Sequence, residues 1–174
     1  ISLRGKSEMT DNSNTDRDVR LKFMRIDERT GAVLREVWKD IEPKLPEILE
    51  GFYHHVTGVP HLAKMIGNDI PRLKKAQGGH WSRLFAGRFD DAYMQGIRTI
   101  GLTHNRIGLE PRWYSGGYAL VLEKLLATLI EARWPRRFGK AAPGAADAAG
   151  EVGAIVKATL LDMDYAISVY LDSA

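Results

Sequence analysis

Hydrophobic residues recur every three or four positions along most of this 174-residue chain, and the alternation typical of β-strands is nearly absent. This period is that of an amphipathic α-helix with one face on a core. The pattern therefore predicts an all-α fold, and the length suits a single domain. The predicted helices span about residues 17–26, 27–41, 45–56, 61–66, 69–86, 91–106, 111–134 and 146–171.

Capping residues and helix breakers mark the ends of these helices. Pro43 interrupts the pattern after the second helix, and Gly108 and Pro111 separate two later ones. Three helix starts each offer two candidate N-caps, which are Asp27 or Thr30, Asn68 or Asp69, and Asp90 or Asp91. The result is seven or eight helices.

Charge and cysteine content exclude several classes of protein. Lys and Arg (25 residues) are interspersed with Asp and Glu (22 residues), so the net charge of +3 does not indicate a nucleic-acid partner. The chain has no cysteine, which removes disulfides and thiol chemistry and is compatible with a cytoplasmic location. No apolar run reaches the roughly 18 residues that span a bilayer, so no membrane partner is predicted.

The N-terminus is polar and does not look like a signal peptide. We predict that residues 1–16 form a disordered tail, in part from an expression vector, and that the domain occupies residues 17–174.

Histidine is the residue type best suited to carry chemistry here. The chain has no phosphate-binding loop, no GxGxxG and no HExxH motif, so we predict no catalytic residue. His54 and His55 are neighbours that cannot chelate from one helix face, and His61 suits the surface. His80 could face a cavity. His104 stands out because of the sequence around it.

That surrounding sequence resembles the globin-coupled sensor and protoglobin family. The segment HNRIGLEPRWY at 104–114, followed by Gly116-Gly117-Tyr118, is similar to the family signature around the proximal histidine. WSRLFAGRFD at 81–90, the pair Phe52-Tyr53 and LDMDYAI at 161–167 are similar to other family segments in the same order. The resemblance implies a globin-like fold of seven to eight helices with an extra N-terminal helix.

The resemblance also implies a haem site built on His104. Its imidazole would bind the iron of haem b, leaving the opposite position for a gas. Tyr114 would hydrogen-bond near this proximal histidine, and Ile107 would contact the cofactor. Phe52 and Tyr53 would lie on the gas side, where a phenol hydroxyl favours O2 over CO.

The predicted helix 69–86 would cross the gas side of the haem. Leu73, Gln77 and Trp81 share one stripe of it with Ala76, and we predict haem or gas contacts from this stripe. Leu73, Lys74 and Gln77 all remain candidates for the family's second distal position. The glycines at 78 and 79 suggest a kink, and one hypothesis is that this kink brings His80 to the iron as a sixth ligand.

Together these features predict a bacterial, haem-based O2 sensor domain that also binds CO and NO. It would signal to an output domain missing from this chain. The resemblance also implies a homodimer through helices 111–134 and 146–171, which carry apolar residues on more than one side. The alternative is that both helices simply complete the core of one globin domain.

Two alternatives come from other classes of protein. A single-domain globin could bind O2 or detoxify NO, although no flavin or nicotinamide motif supplies the electrons for NO turnover. A helical interaction module without a cofactor would lack pigment altogether.

Overall fold

The computed structural model describes residues 15–133 and 144–172, which form helices joined by short turns. The predicted all-α fold is confirmed. The helices are α1 (15–23), α2 (Glu28–Ile41), a short 3₁₀ helix (Glu42–Lys44), α3 (Leu45–Val56), α4 (Pro60–Ile66), α5 (Ile70–Phe85), α6 (Asp91–Ile107), α7 (Pro111–Arg133) and α8 (Ala145–Asp172). Trp134 and most of the predicted tail 1–16 lie outside the described residues, but residues 15 and 16 already belong to α1.

Two of the predicted N-caps form with their side chains and one does not. Asp27 and Thr30 make a reciprocal capping box at the start of α2, with Asp27 Oδ1 accepting from the Thr30 amide at 3.0 Å. Asp90 accepts from the Tyr93 amide at the start of α6. Asp69 stands at the start of α5, but its carboxylate accepts from the Arg72 guanidinium instead.

The end of α6 is fixed by a turn that includes the carbonyl of His104. Gly108 adopts the left-handed conformation with φ 74°, which glycine reaches without strain. The Leu109 amide donates to the His104 carbonyl at 2.9 Å, and the Gly108 amide donates to the Asn105 carbonyl at 3.1 Å. These are the two bonds of a Schellman motif, so α6 stops one turn after His104.

The core forms around α8, which packs against α2, α6 and α7. Its buried stripe includes Ile155, Ala158, Leu161 and Ala166. The facing helices contribute fully buried side chains, among them Leu34, Val37 and Ile41 of α2, Leu84 and Phe85 of α5, Ile97 of α6, and Leu125 and Leu129 of α7. Among the described helices, none combines the length and the hydrophobicity that a membrane crossing requires.

A glycine contact brings α2 against the turn that follows α5. A Cβ at Gly31 would lie 2.5 Å from the backbone oxygen of Gly87, and backbone cannot move aside cheaply. We expect Gly31→Ala to lower the free energy of unfolding by roughly 1–3 kcal/mol, as overpacking of a close contact does. Gly51→Ala on α3 is the matched control, because its Cβ meets nothing within 4 Å. Chemical denaturation measures both, and equal stability of the two variants would refute the packing argument.

Candidate functional site

His104 lies in the last turn of α6 with its ring against the ring of Tyr114, at a centroid distance of 4.7 Å. Burial lowers the pKa of His104 to about 4, so the imidazole is neutral at neutral pH. Its Nδ1 is buried and has no hydrogen-bond partner among the described residues. A neutral imidazole is the form that binds a metal.

Tyr114 lies in the first turn of α7, and its side chain is 4% exposed. Its hydroxyl is buried without a hydrogen-bond partner among the described residues, so the predicted hydrogen bond near His104 is not formed here. The two side chains meet as rings instead. Tyr170 of α8 packs edge-on against the other side of Tyr114, with ring centroids 5.8 Å apart.

A second group of predicted residues meets where α3 crosses α5. The Tyr53 hydroxyl donates a hydrogen bond of 2.6 Å to Gln77 Oε1, and Phe52 lies edge-on to Tyr53 at 5.2 Å. Burial raises the pKa of Tyr53 to about 12, so the phenol keeps its proton. Of the three candidates for the second distal position, Gln77 is the one that reaches Tyr53. Lys74 is hydrogen-bonded to the exposed Glu50.

Helix α7 connects the His104 contact to this group. The Phe52 ring packs over Gly117, 3.6 Å from where a Cβ would stand. Gly117 comes one turn after Tyr114 on the same face of α7. Sequence reasoning gave Gly117 no role, although it lies in the segment that carries the family resemblance.

Three predicted contacts make no ring contact or hydrogen bond with Tyr53 or His104 among the described residues, and these are Leu73, Ile107 and Trp81. Leu73 is half-buried one turn before Gln77, and Ile107 is 44% exposed at the end of α6. Trp81 is buried in the core, where its ring meets those of Tyr118 and Phe85.

The hypothesis that a kink brings His80 to an iron is wrong in this structure. α5 runs unbroken through the two glycines, because each residue of Ile70–Phe85 is helical. His80 is 3% exposed, and its Nε2 lies 2.7 Å from Asp162 Oδ1 on α8. The Nε2 of His80 is thus bound to a carboxylate rather than free to bind an iron.

Asp162 is a buried charged residue to which the sequence analysis assigned no role. It is fully buried and also accepts hydrogen bonds from the hydroxyls of Tyr93 and Tyr118. One sequence feature could have indicated its role. Asp162 is an acidic residue inside the apolar stripe of α8, four residues after Ala158 and three before Tyr165.

The donor set fits a haem rather than a bare metal ion. Within the part of the chain that the structure describes, no group of three or more His, Asp or Glu residues could hold a metal ion. Haem needs only one protein ligand, since the porphyrin supplies four nitrogens. His104 offers that ligand as a neutral ring with an unpartnered nitrogen, beside aromatic side chains that suit the porphyrin.

A helical architecture, a buried neutral imidazole and a partly buried tyrosine–glutamine hydrogen bond are features of a globin-type haem domain. The profile of the protoglobin family matches residues 13–174, and the chain belongs to this family. The fold is similar to the globin domain of a globin-coupled sensor of Geobacter sulfurreducens, with a TM-score of 0.76 and 21% identity over 88% of this chain and 96% of that one. The predicted family and globin-like fold are confirmed, and the domain binds haem and, through it, a gas.

Proposed function

We propose that this domain is an O2 sensor that holds haem b on His104 and reports its gas-bound state to an output domain outside this chain. The observation that carries the proposal is the partly buried hydrogen bond between Tyr53 and Gln77. When bound, haem would supply an iron that takes a diatomic gas, and His104 would hold it.

Tyr53 is suited to select O2 because its phenol keeps a proton that it can donate and because its side chain is largely buried. The pKa of about 12 keeps the phenol protonated, and a hydrogen bond in a low-dielectric site is stronger than in water. Gln77 can either accept from the phenol or donate to it, because an amide side chain has both groups. When Gln77 donates to the phenol oxygen, the hydroxyl proton of Tyr53 is free for the gas.

We expect Tyr53→Phe to speed O2 release by roughly 5- to 100-fold, which corresponds to about 1–3 kcal/mol for one buried hydrogen bond. CO release should change by less than about threefold, because bound CO is less polar and gains less from the hydroxyl. Stopped-flow dissociation rates measure both gases.

Tyr165→Phe is the matched control for this change. Tyr165 is also buried, but its hydroxyl has no hydrogen-bond partner among the described residues, and its ring lies beside Arg20 of α1. Its O2 release should equal that of the unmodified domain. A Tyr53→Phe variant that releases O2 at the unmodified rate would remove Tyr53 from the gas site.

The proposed sensor is a homodimer through residues 111–134 and 146–171. α7 buries Val121, Leu125 and Leu129 in the core, yet Ile130 on its other side is 48% exposed. Leu160 of α8 is 43% exposed in the same way. A helix that is apolar on two sides needs two partners, and a second copy of these helices supplies the missing one.

We expect Ile130→Glu combined with Leu160→Glu to give a monomer, because buried unpaired carboxylates oppose association. Sedimentation velocity measures the mass. Leu102→Glu on α6 is the control, since Leu102 is 41% exposed but lies outside both helices. A double variant that sediments like the control would place the interface elsewhere.

A further inference from the structure

The buried carboxylate of Asp162 joins α8 to three other helices. Its Oδ1 receives His80 Nε2 of α5 and the Tyr93 hydroxyl of α6, each at 2.7 Å. Its Oδ2 receives the Tyr118 hydroxyl of α7 at 2.5 Å. Asp162 has no exposed surface, so these donors replace the water that a carboxylate otherwise requires.

The three donors hold the carboxylate in one orientation. Burial, reinforced by the charge of Asp162, raises the pKa of Tyr93 and of Tyr118 well above the usual range, so both phenols remain donors. The Tyr93 ring also stacks on His80, with centroids 5.7 Å apart. A displacement of α8 therefore acts on α5 and α7 through short, charge-assisted hydrogen bonds.

The same turns of α5 and α7 carry the gas site. His80 follows Gln77 by three residues, so one turn of α5 holds both the Asp162 contact and the Tyr53 contact. Tyr118 follows Gly117, on which Phe52 packs. The Asp162 contacts thus lie one turn or less from the residues around Tyr53.

The two glycines of α5 lie between these two contacts. A Cβ at Gly78 or Gly79 would meet only ordinary neighbours among the described atoms, at 3.6 Å or more, so packing within the protein does not require glycine there. Glycine weakens a helix by roughly 1 kcal/mol relative to alanine. The turn of α5 between Gln77 and His80 therefore resists distortion less than the same turn with alanine would.

We propose that Asp162 is a positioning residue for gas binding, which couples the packing of α8 to the Tyr53–Gln77 pair. This inference rests on the proposed function, because it assigns how the gas site and the dimer helices communicate. Coupling between two sites is reciprocal, so gas at the Tyr53 side also shifts the preferred packing of α8. Leu160, on the proposed dimer face, lies two residues before Asp162.

The test is a double-mutant cycle between Asp162→Asn and Tyr53→Phe, read as the O2 dissociation rate of the haem-loaded protein. Asparagine keeps the size of the side chain but removes the charge and one acceptor. We expect Asp162→Asn alone to change O2 release by roughly 2- to 25-fold, the range seen for coupling residues. In the Tyr53→Phe background the change should fall below about twofold.

Leu34→Ala supplies a control of purely structural origin. Leu34 is fully buried on α2, and its truncation destabilises the core without removing any of the three hydrogen bonds to Asp162. O2 release by this variant should equal that of the unmodified domain. Chemical denaturation checks that its loss of stability matches that of Asp162→Asn. If Asp162→Asn does not fold, Tyr118→Phe takes its place in the cycle, because it removes one donor and leaves two.

Two results would overturn the inference alone. In one, Asp162→Asn changes the O2 dissociation rate by the same factor with and without the Tyr53→Phe change. In the other, Leu34→Ala changes the O2 dissociation rate as much as Asp162→Asn does. If Tyr53→Phe by itself leaves O2 release unchanged, the proposed role of Tyr53 fails, and the route through it fails too. These outcomes separate the inference from the function on which it rests.

Discussion

A His104→Gly variant is expected to lose its haem and to regain it when imidazole is added. His104 is the iron ligand that we propose, and a substitution breaks no hydrogen bond of its Nδ1, because this atom has no partner among the described residues. Loss of groups that merely orient a ligand costs 10- to 100-fold in metal affinity, so loss of the ligand itself should cost at least about 100-fold. The absorption spectrum of the purified protein shows this as a weakened and shifted Soret band.

Rescue by imidazole separates loss of a ligand from loss of the fold. Free imidazole can replace the deleted ring beside Tyr114, and the Soret band should then recover. His55→Ala is the matched control, since His55 is exposed on α3 and its removal should leave the spectrum unchanged. A His104→Gly spectrum identical to that of the unmodified domain, without imidazole, would show that another residue binds the iron.

Local chemistry explains why the helices could be predicted from sequence. The capping box of Asp27 and Thr30 and the left-handed Gly108 involve residues at most a turn apart. Such signals do not depend on the rest of the fold, so they place the start of α2 and the end of α6 correctly. The family resemblance added His104 and Tyr53, which spacing alone leaves among several candidates.

The pairing of side chains on different helices could not be predicted in the same way. Leu73, Lys74 and Gln77 lie on neighbouring faces of α5, and the choice among them depends on what α3 presents. Lys74 is hydrogen-bonded to Glu50, and Gln77 is hydrogen-bonded to Tyr53. The close approach of Gly31 to Gly87 likewise depends on how α2 meets the turn after α5.

Asp162 shows the same limit for a charged residue. An acidic side chain on a helix is usually solvated. The position of Asp162 in the apolar stripe of α8 therefore predicts an unfavourable buried charge, but it does not predict which residues hydrogen-bond to it. The donors that resolve the conflict come from three separate helices, and the nearest of them, Tyr118, is 44 residues away in sequence. Only the assembled fold reveals the network.

Asp162→Ala is expected to be among the most destabilising single substitutions in the domain. It leaves His80, Tyr93 and Tyr118 as buried donors without an acceptor. Removing one member of a buried charged network costs roughly 3–5 kcal/mol, because the remaining groups stay desolvated. Chemical denaturation should show this loss at an unchanged m-value if unfolding stays two-state. Asp164→Ala, two residues further on α8, removes an exposed ion pair with Arg20 and should cost less than about 1 kcal/mol.

A fully apolar version of the network tests the reason for this loss. Asp162→Leu combined with His80→Leu, Tyr93→Phe and Tyr118→Phe removes the carboxylate together with its three donors. Since no buried donor is then left unsatisfied, we expect most of the lost stability to return. The combined variant should still lack the coupling of α8 to O2 release, because that coupling requires the hydrogen bonds. If it is no more stable than Asp162→Ala, unsatisfied donors are not the cause, and packing around Asp162 is.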